Sequence, residues 1–303
     1  MEYEHEKHTQ SPYRMHEVSV VKRGEPEEGV SAADQTFLKK INMELHKGEW
    51  LAVVGRNGSG KSTLAKVMAG LIPAAGGFIE PGWTAGERMR MVLQNPDTQL
   101  IGETVYEDLC FGMENAGIDP ERMPETARHV LRLVGLADKS DDSCEALSGG
   151  QKQLTAVAGA LAVGASVLLM DEVTSMLDSF SRSMVLGALS QLHEQGVTIV
   201  WITQRLDELA LADKVIVVDE GKTVYSGDVW DFFYGSISED GSRVKSRGDR
   251  AAASPCLELG YELPYTVAVT RGLHRLGAFG LEERPVTPGE LMEVLNRYGL
   301  PAR

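Results

Sequence analysis

The strongest chemical signal in the chain is the run Gly55-Arg56-Asn57-Gly58-Ser59-Gly60-Lys61-Ser62-Thr63. It fits the spacing G-x-x-x-x-G-K-[ST] between an apolar run and a helix-forming stretch, the context such a loop requires. The glycines let the backbone wrap until its N–H groups converge on a polyphosphate, and a helix N-terminus adds partial positive charge. Lys61 supplies a point charge to the β and γ phosphates, and the Ser62 hydroxyl can ligate Mg²⁺. Downstream, Val167-Leu-Leu-Met170-Asp171-Glu172 is an apolar strand ending in two acids. Asp171 can hold Mg²⁺ through water, and Glu172 can orient an attacking water or accept its proton. Taken alone these acids read as a solvated strand end; beside a phosphate loop they read as the hydrolytic half of a site. Between the two, Leu147-Ser148-Gly149-Gly150-Gln151 opens a helix rich in small residues. Two glycines and a serine there make a second N-terminal anion site, or a plain helix-start turn. One nucleotide does not need two such sites, so the second is available to a nucleotide held by another subunit.

The elements that must position these residues follow from hydrophobic patterning. Met15–Val21 and Phe37–Leu45 alternate as half-buried strands, separated by the acidic turn 24–29, while Leu51–Val54 reads as a strand buried on both faces. A helix is expected from Lys61 to about Leu71. Residues 98–165 read as mostly helical, including Glu125–Val134, and Val167–Met170, Val197–Ile202 and Lys214–Val218 as further strands. The alternation predicts an α/β sheet flanked by helices, with a helical insert in its middle. Residues 1–14 read as an extension, 15–234 as the main domain with its helical part at about 98–165, 235–256 as a polar linker, and 257–303 as a small helical appendix. Within the appendix, Thr287-Pro-Gly-Glu290 carries the signature of a capped helix start. Met89 and Met91 read as core filler.

Composition narrows the function classes. The chain has 303 residues, 43% of them apolar and 24% charged, as ordinary folded domains do. Its formal net charge of −14 argues against a nucleic-acid partner, which a basic face would serve, so an anionic ligand must be held by a local device. Three scattered cysteines, Cys110, Cys144 and Cys256, form neither a disulfide framework nor a metal site and suit a reducing cytosol. The first ten residues lack the apolar centre of a signal peptide. The weakly polar run from Leu154 to Met170 is too short for a bilayer, so any membrane role is expected to be peripheral. None of the histidines has metal-ligand spacing.

The order of phosphate loop, Gln94, LSGGQ, strand-Asp-Glu and a polar residue after a further strand resembles the ATPase subunit of ABC transporters over about residues 15–233. The resemblance implies a P-loop NTPase fold, with a RecA-like core and a helical signature subdomain, and ATP with Mg²⁺ as ligands. It implies that two chains pack head to tail around two ATP molecules, each between one phosphate loop and the other chain's LSGGQ. Nucleotide contacts would come from Gly55, Asn57, Gly58, Ser59, Gly60, Lys61, Ser62, Thr63, Gln94, Ser148, Gly149, Gly150 and Gln151. Ser62, Gln94 and Asp171 would serve the metal, and Lys61, Glu172 and Gln204 the hydrolysis. Gln94 would also relay closure to a membrane partner, and Ser175–Asp178 would cross the dimer interface with Asp178 as its acidic member.

A finer resemblance links Gln94-Asn-Pro-Asp97-Thr-Gln99-Leu, Thr104-Val-Tyr-Glu-Asp108, Phe111–Asn115 and Leu263-Pro-Tyr-Thr-Val267 to the energy-coupling factor (ECF) importers of vitamins and transition-metal ions. Glu172–Asp178 and Ser148–Lys152 look more like the first of that group's two paralogous ATPases. The resemblance implies a second ATPase chain, either a paralogue or a second copy. It further implies a membrane scaffold (the T component) and a substrate-binding membrane protein, with this chain peripheral on the cytoplasmic face of the membrane. The alternatives are the ATPase of a conventional ABC transporter and, further off, a non-transport ABC ATPase. A ribosome-acting type usually carries two cassettes, and a DNA-end type needs a long coiled coil where only 86 residues lie between Lys61 and Ser148. A metabolic kinase would leave LSGGQ unexplained. Three departures from the pattern stand out. Gln204 replaces the usual histidine, which predicts slower hydrolysis than a histidine form. Lys22-Arg23 occupies the place of the aromatic that stacks on adenine, where either cation could cover the base or neither does. Leu154 replaces an arginine common after the signature.

Overall fold

The computed structural model describes residues 11–22, 35–235 and 254–299. The expected extension before residue 11, the acidic turn at 24–29, Arg23 and residues 236–253 of the expected linker lie outside the described residues. The chain divides into two compact units, residues 1–204 with 217–224, and residues 205–216 with 225–303.

In the first unit, β1 (Tyr13–Lys22), β2 (Gln35–Leu45) and β4 (Gly76–Glu80) form an antiparallel sheet in the order β2-β1-β4. Strict alternation would not put both Met15 and Val18, or both Leu38 and Ile41, into the core, yet all four are buried. Irregularities in the β1–β2 register resolve this: Glu17 (φ 49°) and Lys40 (φ 59°) are left-handed and pair at 3.2 Å outside the sheet. Each inserts an extra residue and returns the next apolar side chain to the core face.

The second sheet has the order β5-β6-β7-β3-β8-β9. Its strands are β3 (Trp50–Val54), β5 (Arg88–Val92), β6 (Ala165–Asp171), β7 (Thr198–Thr203), β8 (Lys214–Asp219) and β9 (Lys222–Asp228). The β5–β6, β6–β7 and β3–β7 pairs are parallel. Every residue of β3 and β7 is buried, which explains why they read as continuous apolar runs. β4, β5 and β9 escape the sequence reading for the opposite reason. β5 and β9 are sheet edges and β4 ends the smaller sheet, so their sequences GGFIE, RMRMV and KTVYSGD mix charge with apolar residues. Met89 and Met91 are half-buried side chains of an edge strand rather than core filler.

Helix α1 (Lys61–Met68) follows the phosphate loop and ends short of the expected Leu71, before Gly70 at φ 71°. The expected helical insert is three helices, α2 (Val105–Asn115), α3 (Met123–Leu133) and α4 (Gly149–Ala162). Thr104 starts α2 with a capping box closed by Glu107. Helix α5 (Ser179–Glu194) connects β6 to β7.

The second unit holds α6 (Val229–Tyr234), α7 (Pro255–Glu258), α8 (Tyr265–Arg275) and α9 (Pro288–Arg297). Phe232, Phe233 and Tyr234 are buried, and the buried Arg271 guanidinium donates to the Phe233 carbonyl at 2.8 Å. α6 therefore belongs to this unit, whose contacts begin before the expected boundary at 257. α7 begins at Pro255, inside the stretch expected to be linker. α9 starts as its sequence predicts: Thr287 accepts from the Glu290 N–H at 3.1 Å, and Glu290 accepts from the Thr287 N–H at 3.1 Å. No described helix is long and apolar enough to cross a membrane.

Candidate active site

Parallel strands bring the chemistry to one edge. Val54 pairs with Thr203, Asp171 with Ile202, and Val92 with Met170. Gly55, Glu172, Gln204 and Gln94 each follow a strand at this carboxyl edge, where open α/β sheets bind ligands. All of them lie in the first unit.

The phosphate loop is built by what its glycines exclude. A Cβ on Gly55 would sit 2.2 Å from the Val218 carbonyl oxygen and 2.4 Å from Ser59 Oγ. Gly60 has φ 110°, and a Cβ there would meet the Phe37 carbonyl oxygen at 2.9 Å, so no other residue turns the chain into α1 here. Among the described residues no side chain caps α1, which leaves the N–H groups of its first turn for an anion. Asn57 and Gly58 are exposed on the loop, Ser59 is buried beneath it, and Thr63 is half-buried on α1.

Lys61 is buried, and its Nζ donates to the Gly55 carbonyl at 2.9 Å and the Arg56 carbonyl at 3.1 Å. Its third donor faces Glu172 Oε1 at 3.8 Å. Burial pulls the Lys61 pKa below the ordinary lysine value, and the negative charges of Glu172 and Asp171 offset part of that pull. Ser62 Oγ lies 3.0 Å from Asp171 Oδ1. Burial raises the Asp171 pKa above the usual carboxylate range; the Ser62 hydrogen bond opposes the rise, and neighbouring Glu172 adds to it. A serine hydroxyl converging on a carboxylate is an oxygen-only donor pair, which suits Mg²⁺. Among the described residues no group of three or more His, Cys, Asp or Glu could hold a metal ion. A site with two protein oxygens beside a polyphosphate fits Mg²⁺ better than a metal caged by protein alone.

Glu172 sits at φ 51°, a left-handed conformation for a residue with a side chain, which costs on the order of 1 kcal/mol. The turn is fixed on both sides. The Glu172 N–H donates to the Ile202 carbonyl at 3.0 Å, and the Glu172 carbonyl accepts from Ser175 N at 3.0 Å and Ser175 Oγ at 2.7 Å. Gln204 then fixes the carboxylate: its Nε2 donates to Glu172 Oε1 at 2.7 Å and to Asn57 Oδ1 at 2.8 Å. Sequence reasoning identified Gln204 as a substitution but missed Asn57 as its second partner, because the two meet only when β3 and β7 pair.

The signature residues start α4. Ser148 accepts from the Gln151 N–H at 3.3 Å and Gln151 Oε1 accepts from the Ser148 N–H at 2.9 Å, closing a capping box. A Cβ on Gly150 would meet Met184 Cε at 2.7 Å and Ser181 Cβ at 2.9 Å, and one on Gly149 would meet Leu177 Cδ2 at 3.1 Å. These glycines therefore also serve packing against the Leu177–Ser181 turn. That turn is held by Asp178, which accepts from Phe180 N and Ser181 N, both at 2.9 Å, and caps α5. The Ser181 bonds hold the Asp178 carboxyl below the ordinary range. Gln94 is exposed beyond β5, and Leu154 is buried, a core position on α4. No side-chain placement is described for Lys22.

A family model for the ABC transporter domain matches residues 38–175. The energy-coupling factor transporter ATP-binding protein EcfA1 of Streptococcus mutans is 36% identical over 272 residues, covering 86% of this chain and 91% of that protein. EcfA1 of Bacillus subtilis is 36% identical over 273 residues, covering 87% of this chain and 91% of that protein. The solved structure of cbiO1 from Clostridium perfringens, part of the ABC transporter complex cbiONQ, aligns with a TM-score of 0.63 and 28% identity, over 74% of this chain and 91% of that one. A dimeric post-hydrolysis ATP-binding cassette with ADP and phosphate shares the fold at a TM-score of 0.58 and 24% identity, over 72% of this chain and 98% of that one.

Proposed function

Because the chain belongs to the ATP-binding proteins of energy-coupling factor transporters, within the ABC transporter family, we propose from that premise how its own residues divide the work of hydrolysis. The chain is an ABC ATPase that powers an ECF-type importer. In the proposed site, the free N–H groups of α1 and the Lys61 ammonium hold the β and γ phosphates of ATP. Glu172 orients the attacking water and takes its proton, and Gln204 aims the Glu172 carboxylate. Ser62 and Gln94 directly, and Asp171 through water, are the residues that would hold Mg²⁺. Bound there, the ion would neutralise charge on the transferred phosphoryl group. Ser148, Gly149, Gly150 and Gln151 act on the nucleotide of a second ATPase chain, a paralogue or another copy, packed head to tail.

Two surface features support partners. Met176 and Phe180, on either side of Asp178, are 66% and 79% exposed, an apolar pair suited to cover by the second ATPase. A cavity of about 610 Å³ beside the Gln94 loop is lined by Asp97, Glu103, Glu145 and Lys152 among others, an acidic groove suited to a basic helix of a membrane scaffold. The chain then sits peripherally at the cytoplasmic face. The cargo, a vitamin or a transition-metal ion, is chosen by a substrate-binding membrane protein. The observation that carries the reading is the convergence of Lys61, Ser62, Asp171, Glu172 and Gln204 at one sheet edge.

Its test is recovery of the tagged chain from mildly solubilised native membranes, with mass spectrometry of what accompanies it. A second similar ATPase, one polytopic membrane protein and a small membrane binder are expected; a conventional permease pair would overturn the ECF assembly. In the recovered complex, Glu172→Gln should lower turnover by about 10²-fold or more while ATP still binds.

A further inference from the structure

The helix that opens with the signature also grips the Gln94 loop. Gln153, in the second turn of α4, is fully buried. Its Nε2 donates to the Gln94 carbonyl at 2.9 Å and to the Leu93 carbonyl at 3.2 Å. Two carbonyls facing one amide end fix which atom is nitrogen, since the flipped amide would set oxygen against oxygen. The other end, Oε1, is buried and has no hydrogen-bond partner among the described residues. A buried acceptor left without a partner costs stability. Both hydrogens of the Gln153 amide are therefore spent on two successive carbonyls of one loop, which an apolar side chain of the same volume could not hold.

The grip has a second point and a stiff object to hold. Lys152 Nζ pairs with Asp97 Oδ1 at 2.6 Å. Between these ties the loop is closed on itself. Gln99 Oε1 accepts from Leu93 N at 3.1 Å, and Asn95 Oδ1 accepts from Asp97 N at 3.1 Å. The segment 93–99 is thus a small closed unit hung from α4 by the two residues that follow Gln151.

We propose that Gln153 is a positioning residue that makes the Gln94 loop and the signature end of α4 move as one body. A displacement of Gln94 then carries Ser148–Gln151 with it, and the reverse. This rests on the proposed roles of Gln94 at the metal and of Ser148–Gln151 at the second chain's nucleotide.

The test is a double-mutant cycle in the membrane complex, reading ATP turnover, half-saturating Mg²⁺ and ATP affinity. Gln153→Met, similar in size but without donors, should lower turnover about tenfold at saturating ATP and raise the half-saturating Mg²⁺, with ATP affinity within about twofold. Gln153→Glu, which turns acceptors on two carbonyls, should be worse than Met; a space-filling role predicts that Met is tolerated. Gln94→Ala should lower turnover by a similar factor, and the Gln94→Ala/Gln153→Met double variant should be no slower than the worse single. If the two factors multiply instead, Gln153 does not act through Gln94 and the proposal falls, while the role of Gln94 stands. If Gln94→Ala alone changes neither turnover nor Mg²⁺ dependence, the reading of Gln94 fails and takes the coupling with it. Should Gln153→Met fail to fold, judged by a lost cooperative melt, Lys152→Met cuts the second tie near the surface. It should lower turnover about threefold, again without multiplying with Gln94→Ala, and multiplication would overturn the proposal.

Discussion

At position 204 a carboxamide replaces the one side chain that could change charge near neutral pH. Both hydrogens of Gln204 Nε2 are committed, at 2.7 Å to Glu172 and 2.8 Å to Asn57, so it fixes the carboxylate and the phosphate loop together. It stays neutral across the working pH range and brings no cation toward the γ-phosphate. Gln204→His should therefore raise turnover in the assembled complex and add a dependence on pH near about 6.5 that the native chain lacks. Unchanged turnover would show that charge at this position does not limit the reaction. Gln204→Ala should lower turnover about tenfold, with fluorescent-ATP titration showing affinity within about twofold, because the lost contact orients Glu172 rather than the phosphates. Little of this was legible beforehand. The substitution itself was visible in Ile202-Thr203-Gln204-Arg205, but Asn57 lies far away in sequence and joins it only through the β3–β7 register.

Elements that start with a closed cap were the most legible, because a cap is local chemistry. Thr287 and Glu290 announce α9 from four residues, and Thr287→Ala should cost about 1 kcal/mol of stability, read by denaturant unfolding, with ATP affinity unchanged. Edge strands β5 and β9 were not legible, since an edge does not need the continuous apolar run that marks β3, β6 and β7. Gly150 was legible only in part. Its use at a helix start is local, whereas its packing against Ser181 and Met184 of α5 depends on how two helices meet. The cap of α5 adds a pH test. The Ser181 bonds hold Asp178 below its unfolded value, so it contributes stability that is complete above the unfolded pKa of about 3.9. That contribution is lost as pH falls toward the depressed folded value. The melting temperature of Asp178→Ala should lie below that of the native chain by a constant gap from pH 7 to about 4, and the gap should narrow below that. A gap that narrows already between pH 7 and 5 would assign the effect to another group.

For the whole molecule the deciding quantity is the net charge of −14 set against a ligand that is itself anionic. The field of the protein repels ATP, and in the proposed site the phosphate loop would overcome it only at contact range, through backbone N–H groups and the buried Lys61. The same field would be an asset at the groove proposed for the membrane partner. Around the groove beside the Gln94 loop, Asp97, Glu103 and Glu145 are exposed, and the one lining lysine is already engaged by Asp97. A basic membrane partner would be drawn to that groove over a distance set by ionic strength, about 8 Å at physiological salt. Rebinding of the chain to native membranes stripped of it should therefore weaken steeply between 50 and 500 mM KCl, values on the order of those that span the screening range. Glu103→Lys/Glu145→Lys should bind about tenfold more weakly at the low-salt end and show a shallower salt dependence, while its ATP affinity matches the native chain. Should the double variant keep the native salt dependence, the attraction lies elsewhere on the acidic surface and the groove is not where the membrane partner docks.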